Sequence, residues 1–260
     1  MKRDSLGKTL FVAFSIVLVC SLLVTGAVTL LRPIQAAQKA PQNFQRILQV
    51  AGLIKQDVEI DKQENMVELF QQIEISILDL NTASYITPSA SNKFDYRQSL
   101  SEPQSTTPLS KSADLANIER KPKQMPIYWV HSSTSKAKIV LPIYGKGMWS
   151  MIHGYIALER DFNTIAGVYF YEQADTPGIG ELIQQSDWST SWQGKKLYDA
   201  NGNLALQINK SKSSSKSTHQ IDGITGATKT VNGVINLIHF WFGEQGYRSF
   251  LSKQRESLEG

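Results

Sequence analysis

The pattern of apolar and polar positions divides the chain into stretches of different character. Leu10 to Leu31 carries no charged residue over 22 positions, about the length a helix needs to cross a bilayer. Gln38 to Leu53 predicts a short linker and a helix with Phe44, Ile47, Leu48 and Ala51 on one face and Gly52 as its stop. In Val67 to Leu80 the signals are mixed. Met66, Leu69, Phe70 and Ile73 keep helical spacing, whereas Ile73, Ile75 and Ile77 alternate as a strand would. Asn81 to Gln124 is rich in Ser, Thr, Pro, Gln and Lys and reads as an extended or mobile excursion. From Met125 the character changes. Ile127–Val130, Ala137–Tyr144, Tyr155–Leu158 and Ile165–Tyr171 are β-branched and aromatic runs separated by turn residues, which predicts an antiparallel sheet. Ser211 to Thr218 reads as a flexible basic loop. A final helix is expected from Thr228 to Phe242, with Val231, Val234, Ile235, Ile238 and Trp241 on one face and Gly243 as its stop. The fold class is therefore α+β. The expected organisation is a cytoplasmic N-terminus (1–9), a single transmembrane helix (10–31), a helical and polar connecting region (32–124) and a domain with an antiparallel sheet flanked by helices (125–260).

Charge refines this organisation at the N-terminus. Lys2, Arg3 and Lys8 precede the apolar stretch against the single acid Asp4, so the N-terminus is expected in the cytoplasm and the rest of the chain outside. Ala36 and Ala37 offer small residues for signal cleavage, but the apolar run exceeds the roughly 7–15 residues of a signal peptide, which favours an uncleaved anchor. Cys20, the only cysteine, lies in this helix, so an intrachain disulfide and a thiolate cluster in the outer part are excluded. Leu18 and Val19 before it do not suit a lipoprotein site. One helix cannot line an ion route by itself, so any transport role requires other subunits. Ser15, Ser21, Thr25, Gly26 and Ala27 give it small faces for packing against them. Across the whole chain, 41% hydrophobic and 19% charged residues with a net charge of +4 are ordinary, and the basic residues are dispersed, which gives nucleic-acid binding no support.

Conventional catalytic constellations find little support. His131, His153, His219 and His239 lack metal-ligand spacing. Gly145-x-Gly147 and Gly178-x-Gly180 lack the third glycine of a dinucleotide fingerprint. Ser150 and Ser186 have no nucleophile-elbow context, and Glu159 and Asp161 fall on an expected hairpin turn. The stretch that stands out is Asp222-Gly223-Ile224-Thr225-Gly226-Ala227-Thr228-Lys229-Thr230. Gly223 and Gly226 suit a tight turn, Ala227 keeps the approach to Thr228 open, and the helix start that follows offers N–H groups and a positive dipole end to a phosphate. Capping by Asp222 or Thr225 is the plainer local reading, and local pattern does not choose among the three threonines.

Several ordered motifs carry a resemblance: Leu141-Pro142-Ile143-Tyr144-Gly145-Lys146-Gly147-Met148-Trp149, Gly154-Tyr155, Thr176-Pro177-Gly178-Ile179-Gly180, Trp192-x-Gly194-Lys195 and Asp222 to Thr228. Together with the N-terminal helix, the chain resembles the C subunit of the bacterial sodium-translocating NADH:quinone reductase over nearly its whole length, most weakly from Asn81 to Gln124. The resemblance implies an FMN-binding domain on the periplasmic side of the inner membrane. It implies FMN joined through its phosphate to Thr228, with Asp222, Thr225, Gly226 and Ala227 around the attachment. Attachment would be the work of a separate flavin transferase using FAD and magnesium, because a threonine hydroxyl is a weak nucleophile and this chain holds no activating base with a donor. Asp222 would bond turn donors or position Thr228 for the transferase. Thr176 and Ile179, with Lys146 and Trp149, are the implied ring contacts. The family pattern before Thr176 is usually His-Gly-Glu, whereas here it is Gln173-Ala174-Asp175, so the acid is kept and the imidazole is not. The expected function is electron relay through covalent FMN within a redox-driven sodium pump, with the other reductase subunits as partners and no NADH or quinone site in this chain. The corresponding subunit of an Rnf ferredoxin:NAD oxidoreductase and a non-redox anchored binding module are the alternatives.

Overall fold

The computed structural model describes residues 6–54, 71–86, 94, 96–131, 137–176, 178–209 and 217–259. The chain forms two compact units, residues 1–45 and 46–260. Helix α1, Leu6–Val50, is continuous where the sequence suggested a linker near Gln38. Its Gly7–Leu30 stretch is long and apolar enough to cross a membrane, and Leu10, Phe11, Phe14, Leu22, Leu23 and Leu30 are all exposed on it.

The expected stop at Gly52 is present. Gly52 takes φ +76°, and its N–H and that of Leu53 bond the carbonyls of Gln49 and Leu48, both at 3.0 Å. This pairing satisfies carbonyls that the helix end would otherwise leave bare. Ile47, Leu48 and Ala51 are buried, as their spacing predicted. The end of α1 is secured further by the Lys138 ammonium, which donates to the Ala51 carbonyl at 2.9 Å.

The centre of the second unit is a six-stranded antiparallel sheet, in the order β2-β1-β5-β6-β7-β8. Its strands are β1 (Ile73–Asp79), β2 (Ser84–Ile86), β5 (Gln124–Val130), β6 (Lys138–Lys146), β7 (Met151–Leu158) and β8 (Ile165–Glu172). The alternation at Ile73, Ile75 and Ile77 is thus a strand, and β1 pairs with β5 from Ile73↔Val130 to Asp79↔Gln124. The sheet therefore begins well before residue 125. Met66, Leu69 and Phe70, the helical half of that mixed signal, lie outside the described residues.

Residues 96–123 of the polar stretch before β5 are built into the domain rather than looped away from it. They hold helix α2 (Tyr96–Ser99) and the hairpin of β3 (Thr106–Pro108) with β4 (Arg120–Pro122). Tyr96 and Ala116 reach the core, and polar side chains brace the rest. The Asp114 carboxylate accepts the N–H groups of Ile118 and Glu119 at 2.9 and 2.7 Å. The Arg120 guanidinium donates to Thr106 Oγ1 at 2.7 Å and to the Pro103 carbonyl at 3.1 Å.

After β8 come helix α3 (Ser186–Thr190) and a small parallel pair, β9 (Gln207–Asn209) with β10 (Gln220–Asp222). The parallel pair is an addition to the all-antiparallel expectation. Then follow α4 (Thr228–Trp241) and α5 (Arg248–Glu259). Helix α4 buries Val231, Val234, Leu237, Ile238 and Trp241 against the sheet, with Ile235 half-buried. Each such aliphatic side chain stabilises by about 1.5–3 kcal/mol when fully buried. Strand β6 is buried along almost its whole length, which explains why it reads as a continuous apolar run rather than an alternating one. Two of the aromatic residues that seal α4 onto it have their polar ends satisfied. Trp241 Nε1 donates to the Tyr144 carbonyl and the Tyr247 hydroxyl to the Pro142 carbonyl, both at 2.7 Å.

Candidate functional site

The parallel pair β9–β10 delivers the chain to the Asp222–Thr230 turn. Trp188 Nε1 donates to the Asp222 carbonyl at 2.8 Å, and the Gly223 N–H donates to the Asn209 carbonyl at 2.8 Å, so the entry to the turn is held from two sides. Gly226 has φ +86°, a conformation that a side chain would strain. Helix α4 then begins at Thr228. Its N-cap is Ala227, and no side chain caps it. The capping role that local pattern offered to Asp222 or Thr225 is therefore not taken up.

The three threonines have different surroundings. Thr225 and Thr228 are exposed, as are Gly226 and Lys229, whereas Ala227 is buried. Thr230 is only 3% exposed, and its hydroxyl donates to Asp175 Oδ2 at 2.7 Å. Thr230 is thereby withdrawn from chemistry at the surface, and the choice left open by the sequence narrows to Thr225 and Thr228.

Asp175 is the residue that sequence reasoning left out of the site. Besides Thr230, it accepts the backbone N–H groups of Met148, Trp149 and Ser150 at 3.0, 2.9 and 3.3 Å. Burial alone would raise its carboxyl pKa, but the bonds from Trp149, Thr230, Met148 and Ser150 outweigh that and hold it below the usual carboxylate range. The Gly147–Ser150 hairpin tip, the Gln173–Gly180 segment and the first turn of α4 meet at this one carboxylate. Its partners lie 25 to 55 residues away in sequence, so no local spacing announces it.

The other candidates flank this junction. Trp149 and Ile179 are 67% and 42% exposed. With Leu115 and Leu258 they are the exposed large apolar side chains outside α1 among the described residues. Ile179 lies beside the turn, since a Cβ built on Gly226 would be 4.0 Å from its Cγ2. Thr176 is exposed, and its carbonyl closes its own turn by accepting the N–H groups of Ile179 and Gly180 at 3.1 and 2.8 Å. Pro177 lies outside the described residues. Lys146 is exposed, and its ammonium donates to the Trp149 carbonyl at 3.5 Å.

The histidines and turn acids have structural surroundings. His153 stacks on Tyr144 with ring centroids 5.5 Å apart, His219 and His239 face the carbonyls of Lys196 and Leu206, and His131 lies 3.5 Å from Glu74. Asp161 accepts the Asn163 and Thr164 N–H groups within its hairpin turn.

An uncapped helix start beside an exposed threonine, with apolar shoulders and a neighbouring lysine, suits a phosphate-bearing planar cofactor. Residues 147–243, from the hairpin tip to the end of α4, match the FMN-binding domain family. The second unit is thus an FMN-binding domain. Over 98% of its length the chain is 36% identical to the C subunit of the Na(+)-translocating NADH-quinone reductase of Yersinia pestis, covering 95% of that protein. It is 38% identical to the protein of the same name from Haemophilus ducreyi, over 96% of this chain and 95% of that one. The crystal structure of NqrC from Shewanella oneidensis superposes with a TM-score of 0.76 at 32% identity, covering 85% of this chain and 99% of that one. The chain belongs to the family of Na(+)-translocating NADH-quinone reductase C subunits.

Proposed function

We propose that this chain is the FMN-carrying subunit of a sodium-translocating NADH-quinone reductase, with the flavin joined through its phosphate to Thr228. The observation that carries the attachment site is the position of Thr228. It is exposed at the first residue of an uncapped helix, while Thr230 is buried and engaged by Asp175. The names of the relatives favour the reductase over the Rnf-type reading, and the FMN-binding domain match disfavours a non-redox module.

The chain's own residues define how the cofactor would be held. The first-turn N–H groups of α4 and its positive dipole end would stabilise the phosphodiester charge. Gly226 and Ala227 would leave the approach to Thr228 open, Thr225 would lie at its edge, and Asp222 would order the turn. Trp149 and Ile179, with Lys146 and Thr176, would flank the ring. FMN, when bound, supplies one- or two-electron redox chemistry, and the surrounding charge and burial tune it. A separate flavin transferase would make the bond, and the exposure of Thr228 leaves it within reach of one. The apolar helix α1 would anchor the chain in the bacterial inner membrane, N-terminus in the cytoplasm and FMN domain in the periplasm, against the membrane subunits of the complex. In this reading NADH and quinone bind elsewhere in the complex.

The test is co-expression with a flavin transferase, followed by denaturing electrophoresis and peptide mass mapping of residues 221–229. A fluorescent band with the flavin mass on Thr228 is expected. Absence of the band removes the carrier reading, and a flavin on Thr225 removes the assignment of the acceptor.

A further inference from the structure

Attachment through a phosphate fixes one end of a long flexible cofactor and leaves the ring to be held by something else. The three segments around Thr228 each contribute one element. The hairpin tip carries Trp149, the segment after β8 carries Ile179, and α4 carries the threonine. Their mutual placement depends on one side chain. The backbone of the tip closes on itself through the Gly147 N–H, which donates to the Ser150 carbonyl at 2.8 Å, and its next three N–H groups all converge on the Asp175 carboxylate.

One glycine of each Gly-x-Gly pair has its explanation here. A Cβ on Gly147 would lie 2.8 Å from Asp175 Oδ2, and one on Gly180 would lie 2.5 Å from Asp175 Cβ and 3.2 Å from Thr230 Oγ1. Gly147 and Gly180 clear the niche into which the carboxylate fits. The segment before it is tied as well, since the Ala174 N–H donates to Ser150 Oγ at 2.7 Å.

Resting on the FMN-carrier reading, we propose that Asp175 is the positioning residue for the flavin ring: it clamps the Trp149-bearing hairpin tip and the Ile179-bearing turn onto the helix that holds the tether. Asp175 itself is 4% exposed and acts through Trp149, Ile179 and the first turn of α4. An amide in its place keeps one acceptor oxygen but turns a donor toward N–H groups, which releases the hairpin tip. The carboxylate is also a fixed negative charge near the tether, and such a charge opposes the addition of electrons to a nearby flavin.

The experiment uses the full chain, co-expressed with the transferase and purified in detergent, as wild type, Asp175→Asn, Asp175→Glu and Thr230→Val. For Asp175→Asn the covalent fluorescent band is retained. The flavin fluorescence anisotropy decays faster, iodide quenches the flavin more strongly, and the midpoint potential shifts upward. Asp175→Glu, which keeps the charge and both acceptor oxygens, restores all three toward wild type. Thr230→Val removes one of the four donors but leaves the charge, so it gives a smaller change in anisotropy and quenching alone, which serves as the test if Asp175→Asn does not fold.

Wild-type anisotropy, quenching and potential in Asp175→Asn, or wild-type anisotropy and quenching in Thr230→Val if that variant must serve, overturn the proposal. Loss of the covalent band from folded Asp175→Asn overturns it as well, because the residue then acts in attachment. A wild-type chain without the band refutes the carrier reading instead, so the two failures are distinguishable.

Discussion

The Thr230 hydroxyl donates to Asp175 at 2.7 Å across 55 residues of chain, and this bond separates two threonines that the sequence presents as equivalents. Thr228→Ala is expected to abolish the covalent flavin band, whereas Thr230→Val keeps it and destabilises the domain. Leaving a buried acceptor short of a donor costs roughly 1–3 kcal/mol. In-gel fluorescence measures the first effect and thermal unfolding the second. A band that survives Thr228→Ala at full intensity removes Thr228 as the acceptor.

Acid is expected to weaken the domain in two successive windows. Burial, aided by Arg97 and opposed by Glu172, pushes the His153 pKa down from 6.5 to about 4. Between those values the unfolded chain binds a proton that the folded chain refuses, so stability falls as pH drops from about 6.5 to about 4, by up to about 3 kcal/mol. Asp175 has the opposite charge type but the same sign of effect. Its folded pKa is depressed, so its contribution is present above the unfolded value of about 3.9 and is lost as pH falls through the folded one. Urea unfolding of His153→Gln should flatten the upper window alone, and Asp175→Asn should make only the lower one shallower, since Asp161 and Asp199 are also held below the usual carboxylate range. An unchanged pH profile in either variant contradicts the corresponding assignment.

The segment from residue 110 to 120 is expected to depend on Asp114. Its carboxylate accepts the Ile118 and Glu119 N–H groups at 2.9 and 2.7 Å, and Asn117 and Glu119 hold positive φ values of 50° and 62°. Bonds to a charged acceptor contribute roughly 1.5–3 kcal/mol, enough to offset the backbone strain of two such residues. Asp114→Ala should open this segment to protease while leaving the flavin band intact. Cleavage no faster than in wild type would show that other contacts hold it.

That segment also marks where the sequence is hard to read. Helix α4 was legible from Thr228 to its stop because an apolar stripe at helical spacing and a terminal glycine are local signals. The β6–β8 strands were legible for the same reason, as continuous β-branched runs. Asp114 and Arg120 stabilise a polar stretch through bonds to backbone, and that leaves no periodicity to detect. Strand β1 was half-visible at Ile73, Ile75 and Ile77, but its partner β5 lies some fifty residues on. At the site, Thr228, Gly226 and Ala227 formed one contiguous motif. Asp175 shares its niche with residues from two distant segments, so only the folded chain shows what it does.

The junction between helix α1 and the sheet supplies the last test. Gly167 on β8 lies under the end of α1, where a Cβ would be 2.4 Å from the Val50 carbonyl oxygen. That neighbour is backbone, so no rotamer change relieves the contact, and the helix end must lift from the strand. Tyr171 lies on the same strand four residues on, with the Arg46 guanidinium of α1 over its ring at 4.5 Å from the centroid, and lifting the helix end would separate them as well. Overpacking of this kind costs about 1–3 kcal/mol, to which a lost cation–π contact adds about 0.5–2 kcal/mol. Gly167→Ala should therefore lower the unfolding temperature of the domain and expose Arg46 to trypsin. Arg46→Ala should reproduce only part of the thermal loss, since it leaves Gly167 and Val50 in place. Wild-type unfolding temperature in Gly167→Ala would mean that the end of α1 has room to shift without cost.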